Sequence, residues 1–240
     1  MDFLFILAVG LAAGTLSGIV GFGSTIILMP VLVIDFGPRQ AVPIMAIAAI
    51  MVNFSRIVAW WREVDWRACA AYSVTGIPGA ALGAGTLLVL PPRIIEAALG
   101  VFFIAMIPAR RWLAAHKLVI NVWHLAVVGL VIGYITGIVA TTGPISVPIF
   151  LTYGLVKGAF LATEAASSLA VYVSKAVVFR TFGALPTDII LKGLIIGSTL
   201  MAGTFIAKRF VLKLEPQQFR LLMEGLMLIS GVAMLWAAAA

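Results

Sequence analysis

The sequence predicts an all-α polytopic membrane protein made of two inverted-topology repeats. Hydrophobic residues form 63% of the 240-residue chain and charged residues only 10%, with a mean hydropathy of +1.17. A soluble domain needs roughly 25% charged residues to cover its surface. Apolar segments follow one another along the whole chain, and one glycine-containing motif occurs twice, centred on Gly18 and Gly137, 119 residues apart. These observations predict membrane helices arranged as a duplicated unit.

Each half of the chain contains five apolar segments, and the second of each five is too short to cross a membrane upright, since a crossing takes about 20 residues. The segments of the first half are residues 3–20, 26–36, 40–61, 68–90 and 94–107. Those of the second half are residues 122–139, 144–153, 158–179, 189–207 and 219–236. Residues 1–118 therefore form one predicted repeat and residues 119–240 the other, together making one transmembrane domain.

The short second segment of each half is either a tilted span or one limb of a re-entrant hairpin that turns at a Gly/Pro break near the midplane. Both arrangements return the chain to the side on which it started. Three further crossings then end each half on the opposite side. The two halves are therefore predicted to have opposite orientations, which is the inverted-repeat topology of many secondary transporters.

The distribution of basic residues predicts the orientation in the membrane, because such residues are retained on the cytoplasmic side. Eleven Lys and Arg residues fall on one side of the predicted topology. Five fall on the other side: Arg39, Arg93, Lys175, Arg180 and Lys192. We therefore expect a multi-pass protein of the cell membrane with both termini outside the cytoplasm.

The repeated motif reads Leu-Ser-Gly-Ile-Val at residues 16–20 and Ile-Thr-Gly-Ile-Val at residues 135–139. A break in the apolar run follows each copy: Gly-Phe-Gly-Ser-Thr at residues 21–25, and Ala-Thr-Thr-Gly-Pro at residues 140–144. Interrupted segments at corresponding places in two halves indicate a transporter binding site near the midplane. The alternative is that the small residues only allow close packing of helices.

The residues of the two breaks have the chemistry of an anion site. Ser24 and Thr142 stand where helix N-caps are expected, and Pro144 suits the first helical position. A helix that starts inside the membrane offers free N–H groups and the positive end of its dipole to an anion. The predicted substrate ligands from the breaks are Gly21, Gly23, Ser24, Thr25, Thr141, Thr142 and Gly143.

Two basic residues, Arg56 and Lys175, occupy equivalent positions in the third segments of the repeats. Cations at membrane depth are costly and typical of functional sites, so we predict that both hold the anion. The alternative is that their long side chains snorkel to the interface. Asn53 and Tyr172 lie one turn earlier at equivalent positions and are predicted to add neutral hydrogen-bond donors.

Glu164 has no acidic counterpart, since the repeat places Met45 opposite it. A buried carboxyl at membrane depth could accept a proton during transport, which makes Glu164 the candidate for proton coupling. It could equally face the outer interface or pair with a basic residue of another helix. Pairing with Lys175 on the same helix is excluded, because the two residues are about three turns apart.

Several other classes of function have no support in the sequence. The single cysteine, Cys69, cannot form a dithiol relay, and no His, Cys, Asp or Glu cluster has metal-ligand spacing. Neither a catalytic motif nor a cofactor motif is present, so we expect no enzymatic activity, no cofactor and no metal. The net charge of +7 is spread over short loops and is not typical of a nucleic-acid surface.

The doubled Ser/Thr-Gly-Ile-Val motif, with its glycine-bearing break and following proline, resembles the sulfite exporter TauE/SafE family. The resemblance extends over residues 3–236 and is closest at residues 14–30, whereas the second break carries fewer glycines and more hydroxyls. It implies a transporter of sulfite or of an organosulfonate such as a C2 sulfonate in a bacterial inner membrane. The partners would be this small anion and the lipid bilayer, and a homo-oligomer is compatible with them. A transporter of another small anion and a non-transporting membrane scaffold or assembly factor are the alternatives.

Overall fold

The structure is a computed structural model, and it describes residues 3–20, 23–116, 120–210 and 216–239. These residues form ten α-helices, each overlapping one predicted segment. The helices of the first half are α1 Phe3–Val20, α2 Gly23–Phe36, α3 Pro38–Ala59, α4 Trp66–Val89 and α5 Pro92–Ala115. Those of the second half are α6 Val122–Ile138, α7 Gly143–Thr152, α8 Lys157–Thr181, α9 Thr187–Phe210 and α10 Pro216–Ala239.

Five helices in the described part are long and apolar enough to cross a membrane, and they lie in α3, α4, α5, α8 and α9. This confirms the predicted all-α membrane class. The two second segments are short, with 14 residues in α2 and 10 in α7. Whether they cross the membrane at a tilt or form re-entrant hairpins stays a prediction.

Local sequence signals explain several helix starts. Gly37 adopts a φ of 73° before Pro38, which begins α3. The Asp65 side chain accepts hydrogen bonds from the N–H groups of Arg67 and Ala68 at the start of α4. Asn121 forms a reciprocal capping box with His124 at the start of α6. Each device satisfies or avoids N–H groups that a helix start leaves without an intrahelical partner.

The main helix contacts between the halves recur when the halves are exchanged. Helix α4 packs on α6, and the equivalent α9 packs on α1. The pair α3–α9 corresponds in the same way to α8–α4, and α2–α10 corresponds to α7–α5. The remaining pairs, α3–α8 and α5–α10, join equivalent helices. This scheme is expected of two repeats related by a twofold axis, while their opposite orientation in a membrane stays a prediction.

Glycines allow the paired helices to approach each other at backbone distance. A Cβ atom added to Gly83 of α4 would lie 2.0 Å from the carbonyl oxygen of Tyr134 in α6. In the equivalent pair, a Cβ on Gly14 of α1 would lie 2.4 Å from the carbonyl oxygen of Leu200 in α9. Gly137, at the centre of the second motif, packs on the α4 backbone in the same way. These glycines therefore serve close packing, the role proposed for small residues in membrane helix pairs.

We predict that Gly83→Ala destabilises the protein by about 1–3 kcal/mol, because the added methyl group overpacks the α4–α6 contact. Gly85 is the matched control, since a Cβ there would meet nothing within 4 Å. Gly85→Ala should leave stability unchanged or raise it by up to about 1 kcal/mol through helix propensity. Melting temperatures of the two purified variants in one detergent test this, and equal effects would contradict the packing argument.

Candidate functional site

A small polar cavity lies where α3, α8 and the residues of the two breaks meet. Its volume is about 30 Å³, which is room for about two water molecules. We call it the polar cavity. Its polar lining residues are Ser24, Thr25, Asn53, Arg56, Tyr72, Thr136, Thr141, Thr142, Glu164, Ser168 and Tyr172, and Gly143 also borders it.

The structure brings most of the sequence-predicted site residues together around this cavity. The predicted residues in its lining are Ser24, Thr25, Asn53, Arg56, Thr141, Thr142, Gly143, Glu164 and Tyr172. Three predicted residues are not among them. Gly21 lies outside the described residues, Gly23 is the first residue of α2, and Lys175 contacts a different group. Both halves of the chain contribute to the lining, as a site between repeats requires.

Helix α2 begins three residues before the predicted apolar segment 26–36. Its first residue is Gly23, so Ser24 is the second helical residue and the prediction that it serves as the N-cap is wrong. Several neighbouring small residues can start a helix in a glycine-rich stretch, which is why the sequence did not define the boundary. The side chains of Ser24 and Thr25 are buried against the cavity.

Thr142 occupies the N-cap position of α7 as predicted, but its side chain makes no capping bond. Its hydroxyl instead pairs with the hydroxyl of Thr136. The N–H of Gly143 donates to Thr141 Oγ1 at 3.2 Å, and Pro144, the second helical residue, has no N–H. The next two N–H groups donate to the carbonyl oxygen of Thr142. The expectation of free N–H groups at this helix start is therefore wrong, and hydroxyls form this side of the cavity.

Arg56 of α3 and Glu164 of α8 form a buried ion pair across the two halves. The Nη1–Oε2 distance is 3.2 Å, and the side chains are only 12% and 5% exposed. Arg56 Nη2 also donates to Asn53 Oδ1 at 2.8 Å. The second carboxylate oxygen of Glu164 accepts hydrogen bonds from Ser146 and Ser168. Arg56 therefore does not snorkel, and Glu164 pairs with a basic residue of another helix.

One donor of the ion pair has no acceptor. The Nε atom of Arg56 is buried and has no hydrogen-bond partner among the described residues. Buried donors without a partner are rare in proteins and call for an explanation such as a ligand or water. Because Arg56 lines the polar cavity, an acceptor atom inside the cavity would satisfy this donor.

Lys175 neither lines the cavity nor snorkels. Its side chain is fully buried, and Nζ donates to the carbonyl oxygens of Thr136 at 2.7 Å and Val139 at 2.9 Å. Tyr172, one turn earlier on α8, donates to the carbonyl oxygen of Ala140 at 3.2 Å. These three carbonyls lie at the end of α6 and at the start of the second break. Helix α8 thus holds the backbone of that break.

Sequence reasoning missed four polar residues of this region: Tyr72, Thr136, Ser146 and Ser168. Two of them carried a signal. Thr136 is the hydroxyl residue of the second repeated motif, and Ser168 follows Glu164 by one helical turn, where side chains meet. Tyr72 and Ser146 had no distinctive local context. Among the described residues, no cluster of three or more His, Cys, Asp or Glu residues could hold a metal ion.

Comparison with known proteins matches nearly the whole chain to one protein family. The model of the family described as "Sulfite exporter TauE/SafE" matches residues 6–234. The "Probable membrane transporter protein YjnA" of Bacillus subtilis (strain 168) is 22% identical over 255 residues, which cover 96% of this chain and 98% of that protein. No solved structure matches the chain.

We predict that breaking the Arg56–Glu164 pair from one side destabilises the protein strongly. Arg56→Met or Glu164→Leu alone should cost about 3–5 kcal/mol, because each leaves a buried charge uncompensated. The double variant should be more stable than either single variant. Melting temperatures in a double-mutant cycle measure this coupling.

The Arg111–Glu224 pair between α5 and α10 is the matched control, since the Arg111 side chain is 56% exposed. Its coupling should be weaker than that of the Arg56–Glu164 pair, because water screens the exposed guanidinium although the Glu224 side chain is only 9% exposed. Equal coupling energies in the two cycles would mean that the Arg56–Glu164 pair is not desolvated in the folded protein.

Proposed function

The chain belongs to the sulfite exporter TauE/SafE family of membrane transporters, and we propose that it is a secondary transporter of a small sulfur-containing anion. Sulfite, or an organosulfonate such as a C2 sulfonate, is the proposed substrate class. The observation that carries this proposal is the buried guanidinium of Arg56: this residue lines the polar cavity, and its Nε donor has no partner among the described residues. The sulfur chemistry of the substrate is supported by the family alone.

The charges and donors around the cavity favour an anion over a cation. Arg56 and Glu164 neutralise each other, and the remaining polar lining consists mostly of hydroxyl groups, of which those of Ser168 and Tyr172 already donate within the protein. A guanidinium has a planar set of N–H donors that matches the oxygens of an oxyanion, and such charge-assisted bonds are strong. The amine of Lys175 lies behind the Thr136 wall of the cavity and adds further positive potential.

The size and position of the cavity support alternating access. Room for about two waters is less than the four heavy atoms of sulfite need, so binding requires the surrounding helices to separate. The lining comes from both halves, and Arg56 and Glu164 face each other across the α3–α8 contact. We propose that the halves are inverted repeats and that one moves against the other around this site.

We propose that Glu164 couples transport to protons. A proton on its carboxylate would remove the negative charge that holds Arg56, and the guanidinium would then be free to bind the anion. Proton and anion would thus favour each other's binding, which is the coupling that a symporter requires. Substrate and carboxylate would compete for the same donors.

We further propose that the protein lies in a bacterial inner membrane with both termini in the periplasm, as the distribution of basic residues suggests.

A scaffold or assembly factor would also use the glycine contacts of α4 and α6. It would have no use for a buried donor without a partner, so transport explains more of the structure. A transporter of another small anion remains the second candidate, and the anion panel below distinguishes the two.

We expect sulfite or a C2 sulfonate to raise the melting temperature of the purified protein by several degrees, whereas equal concentrations of acetate should not. Arg56→Gln should weaken the apparent affinity about 10- to 100-fold, because a charge-assisted hydrogen bond contributes about 1.5–3 kcal/mol. Arg39→Gln is the matched control, since Arg39 is exposed, donates to the carbonyl of Leu90 and is not among the residues that line the polar cavity. If no sulfur anion changes the melting temperature or the flux, the proposed substrate class is wrong.

We expect Glu164→Gln to abolish the pH dependence of substrate flux in proteoliposomes, because glutamine cannot bind or release the proton. Exchange of labelled for unlabelled substrate should persist, since exchange moves no net proton. Glu96→Gln, at a partly exposed position of α5, should behave like the wild type. A Glu164→Gln variant with the pH dependence of the wild type would exclude the coupling role.

A further inference from the structure

We infer that the amine of Lys175 is a built-in cation that replaces a sodium ion at the broken end of α6, so that transport requires no sodium gradient. This inference rests on the proposed transport function and adds to it that sodium is not a coupling ion. It starts from three backbone carbonyls and the two α8 side chains that bind them, all in the described part of the protein.

The end of α6 is a place where a cation is favoured. The helix ends at Ile138 and the second break follows, so its last carbonyl oxygens have no partner within the helix. Lipid cannot satisfy these oxygens, and the helix dipole adds negative potential at this end. In transporters with broken helices, such helix ends and unwound carbonyls coordinate the coupling sodium ion.

In this chain, a side chain already occupies that position. Lys175 Nζ donates to the carbonyl oxygens of Thr136 and Val139 at 2.7 and 2.9 Å. These acceptors come from the last turn of α6 and from the residue just after it, which is the ligand set that a small cation would use. The third carbonyl, that of Ala140, is taken by Tyr172 from the same face of α8.

The surroundings of Lys175 fit a resident cation better than a member of a salt bridge. The residue is fully buried, and within the described ranges no carboxylate lies within ion-pair distance of Nζ. The aromatic rings of Tyr172 and Phe179 lie near the amine, each with its centroid 5.8 Å from Nζ. A buried charge is tolerated only where dipoles or partners compensate it, and here carbonyl dipoles and aromatic faces do so.

The consequence for mechanism follows from the difference between an ion and a side chain. A sodium ion joins two helices only while it is bound, so its gradient can drive their movement. The ammonium of Lys175 joins α6 and α8 permanently. Thr136 links this tether to the cavity, because its carbonyl binds Lys175 while its hydroxyl pairs with Thr142 in the lining. The cation position at the end of α6 is therefore filled, and a sodium ion cannot bind there to open or close the cavity.

The test compares wild type, Lys175→Ala and Lys192→Ala in sodium chloride, potassium chloride and N-methylglucamine chloride at equal ionic strength, without substrate. Lys192 is the matched control, because it pairs with Asp188 on α9 and is partly exposed. We expect the wild type and Lys192→Ala to melt at the same temperature in all three salts. Lys175→Ala should melt several degrees higher in sodium or potassium than in N-methylglucamine, since a small cation then fills the vacated position.

Flux supplies a second readout that needs no variant. Transport by the wild type in proteoliposomes should continue at an unchanged rate when N-methylglucamine replaces sodium. A wild type that requires sodium would overturn the inference. So would a Lys175→Ala protein that melts at one temperature in all salts or fails to fold even in sodium. Because the melting experiment contains no anion, its failure is distinct from failure of the proposed sulfur anion to bind.

Discussion

The arrangement of this protein depends on one constraint: backbone N–H and C=O groups inside a bilayer must find partners within the protein. A helix that stops at membrane depth violates this constraint unless other helices supply those partners. At the second break, α8 supplies them through Lys175 and Tyr172, and the hydroxyl of Thr141 accepts the N–H of Gly143. The break is therefore possible only because α8 lies against it, and the contact of α8 with α3 then brings Arg56 to the same place.

The repeated motif has two distinct uses within a few residues. Its glycines lie inside helices and let α6 pack on α4 at backbone distance, as shown by Gly137 against Ala80 and Ala84. The residues after the motif leave the helix and border the polar cavity. The packing interpretation thus holds for the glycines inside the helices, while the binding-site interpretation of the residues after the motif stays a prediction.

The sequence could predict the helix positions and the equivalent residues of the two halves, because local patterns encode both. Apolar runs interrupted by Gly and Pro predict the ends of the ten helices to within three residues, except that α5 ends eight residues later than predicted. The 119-residue shift predicted Arg56 and Lys175 as equivalent positions. The sequence could not predict the partner of Glu164, because Arg56 is 108 residues away and only the α3–α8 contact joins them. The sequence also could not predict the hydrogen-bond acceptors of Lys175, because main-chain carbonyls carry no residue-specific signal.

Arg56 and Lys175 lie 119 residues apart at corresponding places in the two halves of the chain, but they bind different kinds of group. Both side chains start from equivalent positions, on α3 and α8, yet one reaches a carboxylate beside the cavity and the other reaches carbonyls behind it. Their chemistry matches these roles: a guanidinium forks between several acceptors, whereas an ammonium is a compact charge that resembles a metal ion. Glu164 has only Met45 as its counterpart, so the second half alone supplies the anion that holds Arg56. The carboxylate of Glu164 neutralises the guanidinium of Arg56, yet the Nε donor of Arg56 is left without a partner among the described residues.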